Sequence, residues 1–234
     1  MSDRVIVSLG AGRQRGLLAL AGRSFAPYAQ RHGYDLRLDT EPLDRSRPAP
    51  WSKVLILREL VARYELVVWI DADAVIVDRR VDIASELRDG CFLHLVEHVV
   101  DGRPRPNTGV MALRGGERSV AFLDAVWALD RYVTHRWWEN AAVCELLGYG
   151  VDPPQRLAST AWREQTAFLS GRWNWITDAR VPGARIRHFP GFSLRTRELL
   201  MLAALAEARV RSARPAARPR AATSPPSSSP PDAR

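Results

Sequence analysis

Two carboxylates interrupt one of the most apolar stretches of the chain. The segment LVVWIDADAVIV, residues 66–77, contains Asp71 and Asp73 one residue apart in an otherwise hydrophobic run. A short apolar run of this kind is typical of a buried β-strand. Because an unpaired carboxylate is costly to bury, we expect a cationic group to face Asp71 and Asp73.

An Asp-x-Asp pair of this kind is compatible with three interpretations. In an extended segment, side chains i and i+2 lie on the same side, so both carboxylates could hold one Mg²⁺ or Mn²⁺ that in turn binds a diphosphate. Alternatively, Asp71 would be the nucleophile and Asp73 the acid/base of a haloacid-dehalogenase-type phosphatase. The pair could also form a helix cap or a solvated turn without any ligand.

Two of the possible functions fit the sequence less well. The phosphatase motif lies on a first strand and needs a downstream lysine and acidic pair, whereas here the pair follows the third predicted strand and the only lysine lies upstream. A loop with Gly10, Gly12 and Gly16 follows the first predicted strand, and Asp39 ends the second, which resembles a dinucleotide-binding motif. The glycine spacing is one residue longer than G-x-G-x-x-G, so NAD binding is kept only as an alternative.

Alternating strand and helix patterns place the two acids in a fold. The periodicity predicts strands at residues 4–9, 34–39, 66–70, 91–99, 107–113, 173–176 and 185–189, and helices at residues 17–32, 51–64, 81–87, 118–132, 139–147 and 195–209. Residues 107–109 are predicted as a turn that leads into its strand. This alternation predicts an α/β fold with a mostly parallel sheet between helices. Ligands of such folds bind at the carboxyl ends of strands, where Asp71 and Asp73 lie.

Length and composition predict one globular domain. The chain has 234 residues, of which 46% are hydrophobic and 26% charged, enough for a sizeable core. We assign residues 1–209 to this domain and the residues 210–234, rich in Pro, Ser, Ala and Arg, to a disordered tail. From Arg209 onward, six arginines and one acid carry +5 of the formal charge of +8, so we expect no nucleic-acid binding.

The remaining composition predicts a cytoplasmic protein. The sequence shows no signal-peptide pattern and no apolar stretch near the roughly 20 residues that a transmembrane helix needs. Cys91 and Cys144 are too few for a disulfide scaffold and lack CxxC spacing. Lys53 is the only lysine of a chain that otherwise uses arginine. It indicates either a site that needs a compact ammonium or a lysine retained by chance.

Five segments, in order, resemble retaining GT-A glycosyltransferases. They are RHGYDL (31–36), PWSKVLILRELVARYELVVWIDADAVI (50–76), PNTGVMALR (106–114), WWENAAVCELL (137–147) and RIRHFPG (185–191). They are most similar to the group of yeast α-galactosyl- and mannosyltransferases and plant xyloglucan xylosyltransferases, and more distantly to glycogenin-like enzymes. The resemblance covers roughly residues 5–191 and implies the GT-A fold, a Rossmann-like, mostly parallel sheet sandwiched by helices in a single domain.

The resemblance implies a three-ligand metal centre. Asp71 and Asp73 would hold Mn²⁺ or Mg²⁺ together with neutral His188, which ends a late strand. The ammonium of Lys53 would lie near the donor phosphate or sugar, and Gly191 would let the backbone approach a phosphate. His94 and His98 lie in an apolar strand and are predicted to be structural.

The resemblance also implies substrate-binding and catalytic positions. The predicted substrate-binding residues are Lys53, Trp51, Asn107, Gly191, Trp173 and Asn174. Glu139 is the candidate nucleophile, and Asn140, where the group often has Gln, is the candidate for stabilising the positively charged sugar. Structural roles remain as alternatives. Glu139 could simply favour the start of a helix, and Trp51 and Trp173 could be core residues.

The activity implied by the resemblance is sugar transfer. The donor would be a UDP- or GDP-sugar that carries a galactose-like hexose or pentose, and the acceptor would be a hydroxyl of a glycan or small molecule. Transfer would need the metal and retain the anomeric configuration. A protein that binds the nucleotide sugar without transferring it, or that scaffolds an active partner, is the alternative, and the oligomeric state is left open.

Overall fold

The computed structural model describes residues 2–100, 102–176 and 183–213. The strands are β1 (Arg4–Leu9), β2 (Asp35–Asp39), β3 (Leu66–Ile70), β4 (Ala74–Ile76), β5 (Leu93–Val100), β6 (Arg103–Arg114), β7 (Tyr149–Val151), β8 (Pro154–Arg156), β9 (Thr166–Phe168), β10 (Trp175–Ile176) and β11 (Ile186–His188). The α-helices are α1 (Arg15–His32), α2 (Ser52–Val61), α3 (Glu117–Trp127), α4 (Trp138–Leu146), α5 (Ala161–Glu164) and α6 (Leu194–Ala213). Short 3₁₀ helices include Ala49–Trp51, Ile83–Glu86 and Gly171–Trp173.

A six-stranded sheet with the order β2-β1-β3-β6-β5-β9 forms the centre of the fold. β1 pairs in parallel with β2 and β3, and β5 pairs in parallel with β9. β6 alone runs in the opposite direction, antiparallel to both β3 and β5. A smaller sheet, β10-β11-β4, lies where β3 ends. The predicted α/β architecture with a mostly parallel sheet is therefore confirmed.

The core consists of two layers, one on each face of the central sheet. Along β3, Leu66, Val68 and Ile70 pack into the layer formed with α1 and α6. Val67 and Trp69 point to the opposite layer, formed with α2, α3 and α4. All five side chains are buried because side chains alternate along a strand and both faces of this sheet are covered. The continuous apolar run before Asp71 follows from this arrangement.

Most predicted elements are present, but several differ in extent. The helix predicted at residues 118–132 ends at Trp127, and the one predicted at residues 81–87 is the 3₁₀ helix Ile83–Glu86. Residues 107–109 do not form a turn but lie within β6, where the register against β5 jumps from Leu95–Met111 to Val96–Asn107. The segment 173–176 is a strand only at Trp175–Ile176, because the preceding residues form a 3₁₀ turn.

The C-terminal helix is longer than predicted. α6 continues to Ala213, past the domain end that the sequence placed at residue 209, and Arg211 on its last turn forms an ion pair with Glu207 at 2.6 Å. The helix continues because residues 210–213 contain neither Pro nor Gly. The rest of the predicted tail, residues 214–234, lies outside the described residues.

Within the described part of the chain, no helix is both long and apolar enough to span a membrane. Cys91 and Cys144 are both free and buried.

Candidate active site

Three potential metal ligands meet where β3, β4 and β11 come together. Asp71 follows the last residue of β3, Asp73 precedes β4, and His188 ends β11. His188 Nε2 lies 3.2 Å from Asp73 Oδ1 and 3.6 Å from Asp71 Oδ2. One ligand atom from each residue lies within 4.8 Å of the others. The fold thus brings together the three residues predicted as metal ligands.

Backbone hydrogen bonds hold the turn that carries the two acids. The Asp71 N–H donates to the carbonyl of Gly109 on β6 at 2.8 Å, and the Phe189 N–H donates to the carbonyl of Asp73 at 3.1 Å. The turn is therefore attached to the central sheet on one side and to the small sheet on the other. Since β11 runs antiparallel to β4, the same pairing sets His188 beside the turn.

A chain of hydrogen bonds determines which nitrogen of His188 carries a proton. The Gly109 N–H donates to Asn107 Oδ1 at 2.8 Å, so the amide nitrogen of Asn174, 2.8 Å from the same oxygen, must also donate. Asn174 therefore presents its Oδ1 to His188 Nδ1 at 2.9 Å, and Nδ1 must be the protonated nitrogen. In the neutral ring, Nε2 then presents a lone pair toward Asp71 and Asp73.

The residues of this cluster fit a divalent cation. His188 is only 2% exposed, and its Nε2 is buried with no hydrogen-bond partner among the described residues. Burial alone would raise the pKa of Asp73, but His188 and the guanidinium of Arg197, which both contact the carboxylate, outweigh it and hold that pKa below its usual value. Two carboxylates and one neutral imidazole held from behind by an amide are a donor set suited to Mn²⁺ or Mg²⁺.

Arg197 belongs to the site although the sequence did not indicate it. Its Nη1 lies 3.0 Å from Asp73 Oδ2, and its Nε donates to the carbonyl of Phe192 at 2.9 Å. The second bond anchors the guanidinium to the loop that also contains Gly191. One of many arginines, on a helix distant in sequence from Asp73, carries no local signal, so only the tertiary fold reveals it.

Lys53 is buried between two carboxylates. Its Nζ lies 3.0 Å from Asp71 Oδ1 and 2.8 Å from Glu139 Oε1, and it also donates to the Thr108 carbonyl at 3.3 Å. The ammonium lies 5.1 Å from the ring centre of Trp69. Burial would lower the pKa of Lys53, but Asp71 and Glu139 outweigh this and raise it above its usual value. Lys53 is therefore a permanent positive charge.

Glu139 is the second buried carboxylate of this pair. Oε1 accepts hydrogen bonds from Lys53 and, at 3.3 Å, from Thr108 Oγ1, whereas Oε2 is buried with no partner in the described part of the chain. Burial raises the pKa of Glu139, and Lys53 opposes that rise. A buried carboxylate oxygen without a partner is costly, so Oε2 calls for an explanation.

Asn140 does not present its amide to the site. Its Oδ1 accepts from the Thr108 N–H at 2.8 Å, and its Nδ2 donates to the Pro106 carbonyl at 3.3 Å. Both ends of the amide thus hold α4 against β6. The expectation that Asn140 stabilises a charged sugar is not supported by this geometry, because backbone groups already occupy the amide.

Two tryptophans predicted to bind substrate lie in the core instead. Trp51 is fully buried and packs edge-on against Trp127 at 5.9 Å between ring centres. Trp173 is fully buried too, and its indole N–H donates to Glu86 at 2.6 Å. Neither ring has a face open to a sugar, so both are core residues in this structure.

The remaining residues predicted to bind substrate have different surroundings in the structure. The side-chain amides of Asn107 and Asn174 form the hydrogen-bond chain that ends at His188. Gly191 has φ 81, which favours glycine, and nothing lies within 4 Å of the position a Cβ would take, so a ligand could approach this backbone. His94 is structural as predicted, because its Nε2 accepts from the Arg88 N–H at 2.9 Å.

Comparison with known proteins supports the predicted resemblance. Residues 23–94 match the galactosyl transferase GMA12/MNN10 family. A probable glycosyltransferase 5 of Oryza sativa subsp. indica is 31% identical over 209 residues, which cover 75% of this chain and 46% of that protein. The chain therefore spans less than half the length of this curated relative.

Solved structures show the same fold. A glycosyltransferase involved in the glycosylation of the major capsid of PBCV-1 superposes with a TM-score of 0.65 at 18% identity, over 85% of this chain and 99% of that one. The galactosyltransferase LgtC, solved with donor and acceptor sugar analogs, gives a TM-score of 0.55 at 10% identity, over 85% of this chain and 95% of that one.

The chain thus has the fold of the GT-A glycosyltransferases. Within that class it resembles the galactosyl transferase GMA12/MNN10 family, as its sequence predicted.

Proposed function

We propose that this chain transfers a galactose-like hexose or pentose from a UDP- or GDP-sugar to a hydroxyl of a glycan or small molecule, with retention. The observation that carries the proposal is the convergence of Asp71, Asp73 and His188, with the unpartnered Nε2 of His188 facing the two carboxylates. A site of this composition suits a divalent cation and a diphosphate better than it suits a phosphatase nucleophile, because Asp71 is already ion-paired with Lys53.

Asp71, Asp73 and His188 would hold Mn²⁺ or Mg²⁺, which supplies positive charge to the diphosphate as it departs. Arg197 lies at Oδ2 of Asp73, where its guanidinium could also meet a diphosphate oxygen. The open backbone at Gly191 lies on the loop to which Arg197 is anchored. These groups stabilise negative charge on the leaving nucleotide, usually the largest catalytic contribution.

On the other side of Lys53, Glu139 is the group suited to the sugar. Its Oε2 could attack the anomeric carbon in a double displacement, or stay beside a same-face reaction and stabilise its positive charge. Lys53 keeps the neighbouring oxygen occupied and favours the ionised carboxylate that either role requires. A covalent sugar adduct on Glu139, sought by mass spectrometry after rapid quenching, distinguishes the two routes.

The proposed function is tested by mass spectrometry of donor hydrolysis over a panel of UDP- and GDP-sugars with Mn²⁺. Release of the nucleoside diphosphate from one sugar class supports the proposal, and ¹H NMR of the first-formed product reports retention. Binding of a nucleotide sugar with neither hydrolysis nor transfer would favour a binding protein instead. Absence of binding to every donor would remove the proposal.

A further inference from the structure

Trp138, the first residue of α4, has a conformation that bulky side chains rarely adopt. Its φ is 44°, and it is the only non-glycine residue with a positive φ in the part of the chain that the structure describes. A bulky residue in this region is strained, and such strain persists only where the surroundings enforce it. Strained residues of this kind concentrate at ligand sites, so Trp138 merits a functional explanation.

The Trp138 ring is also unusually accessible. It is 40% exposed, whereas each of the other seven tryptophans is buried or only partly exposed. Exposing an indole forgoes the large gain that its burial would give. Strain and exposure at the same residue both oppose folding.

The loop before α4 holds Trp138 in place. The Trp138 N–H donates to the His135 carbonyl at 2.9 Å. His135 and Arg136 both bind the carboxylate of Asp152, at 2.9 and 2.8 Å. The next ring, Trp137, is contacted by the Arg136 guanidinium at 5.0 Å from the ring centre. The indole is thus presented from an anchored loop rather than from a free one.

The residue that follows Trp138 in the chain, Glu139, ends a line of charged groups. Asp71, in the metal-ligand cluster, meets Lys53 at 3.0 Å, and Lys53 meets Glu139 at 2.8 Å. Trp138 directly precedes Glu139 in α4, and it is exposed whereas the Glu139 side chain is buried. If the diphosphate of the donor binds at the metal-ligand cluster, its sugar would extend toward Glu139. The molecule that receives the sugar would then approach past Trp138.

We propose that Trp138 forms the platform of the acceptor subsite, where the apolar face of an acceptor sugar ring packs on the indole. This inference rests on the proposed transfer function and narrows its acceptor from any hydroxyl compound to a glycoside. An indole suits this task because it offers a large, rigid apolar face. The backbone strain is then the consequence of directing that face outward beside Glu139.

The test combines kinetics and stability in variants that remove the ring and relieve the strain. Trp138→Gly and Trp138→Asn both tolerate the left-handed conformation, and Trp138→Phe keeps an aromatic face. Phe168, exposed by 37% on β9, provides the control Phe168→Ala. The acceptors are p-nitrophenyl glycosides of several hexoses and pentoses, with the donor found by the hydrolysis screen.

We expect Trp138→Gly and Trp138→Asn to raise the acceptor KM about tenfold or more and to unfold at higher urea concentration than the wild type. The acceptor KM of Trp138→Phe should lie between those of the wild type and of the Gly and Asn variants. Phe168→Ala should keep the wild-type KM. An unchanged acceptor KM in the Gly and Asn variants would overturn the inference, as would lower urea stability of both, which would make the ring a structural element. If the wild type hydrolyses a donor but uses no glycoside, the acceptor inference fails alone; if it hydrolyses no donor, the proposed function itself fails.

Discussion

Lys53 Nζ lies 2.8 Å from Glu139 Oε1, and both side chains are almost completely buried, with 5% and 6% exposure. The same ammonium lies 3.0 Å from Asp71 Oδ1. The only lysine of the chain therefore connects the metal-ligand cluster to the carboxylate next to the proposed sugar position. A guanidinium is larger and planar, so Arg would not make the same compact contacts at this position.

Removing Lys53 should destabilise the fold strongly, because Glu139 would remain as a buried charge without a partner. We expect Lys53→Met to cost about 3–5 kcal/mol of unfolding free energy. Glu139→Gln should cost less, because Lys53 then still has its ion pair with Asp71. The double variant should be more stable than the sum of the single losses predicts. Urea denaturation of the four proteins measures this coupling.

The control for this cycle is the exposed ion pair of Arg58 and Asp124. Arg58→Met should cause no comparable loss, because exposed pairs contribute little. Additive losses for Lys53 and Glu139 would show that the two side chains are not coupled as the geometry indicates.

Asn174 should affect metal binding without touching the metal. Replacing it by Ala removes the acceptor that fixes the proton on His188 Nδ1, so the ring could rotate or change tautomer. We expect Asn174→Ala to weaken Mn²⁺ binding about 10- to 100-fold, as measured by calorimetry without nucleotide. Asn140→Ala removes an amide held by backbone groups and should leave the Mn²⁺ affinity as in the wild type. Equal affinities in all three proteins would exclude this role of Asn174.

Gly109 is a position where a single methyl group should disturb the site. A Cβ there would overlap the His188 ring and crowd Asn107 Oδ1, both within the hydrogen-bond chain. Gly109→Ala should therefore lower Mn²⁺ affinity and the urea midpoint together. Gly171→Ala is the matched control, since nothing lies within 4 Å of its Cβ position and its φ needs no glycine. A Gly109→Ala protein with wild-type Mn²⁺ affinity would contradict the described packing.

His98 should make the protein sensitive to mild acid. Burial, with help from the neighbouring His188 and Arg105, lowers the pKa of His98 from 6.5 to about 4. Since the folded pKa lies below the unfolded one, its contribution to stability is complete above pH 6.5 and is lost as the pH falls through about 4. The loss from this residue is roughly 3 kcal/mol at most.

The variant His98→Leu should lack that part of the acid sensitivity. At pH 7 it should be as stable as the wild type or more so, because His98 Nε2 is buried without a partner among the described residues. Urea unfolding between pH 7 and 4, in EDTA to keep metals from binding, provides the comparison. Parallel pH curves for the two proteins would show that His98 titrates normally.

The metal-ligand cluster could be predicted from sequence because its signals are local. Asp71 and Asp73 interrupt an apolar strand, and His188 lies in a short motif with Gly191, in the order that the resemblance implies. The fold class was predictable for the same reason, since strand and helix periodicities alternate along most of the chain. Lys53 was visible as the only lysine of an arginine-rich sequence.

The rest of the site depends on tertiary contacts that the sequence does not display. Arg197 is one arginine among many until α6 packs beside Asp73. Trp51 and Trp173 show the converse, because a tryptophan has the same sequence signature in a core as in a sugar site. The commitment of Asn140 to the backbone follows from how α4 packs on β6, which no local pattern encodes.

The central claim is that Asp71, Asp73 and His188 hold a divalent cation that binds a nucleoside diphosphate. Calorimetric titration of UDP and of GDP into the wild type, with Mn²⁺ and then with EDTA, and into Asp73→Ala with Mn²⁺, tests it most directly. We expect one nucleotide to bind the wild type in Mn²⁺, and its binding to be lost in EDTA and in Asp73→Ala. Binding that is equally tight in EDTA and in Asp73→Ala, or no binding of either nucleotide, would contradict the claim.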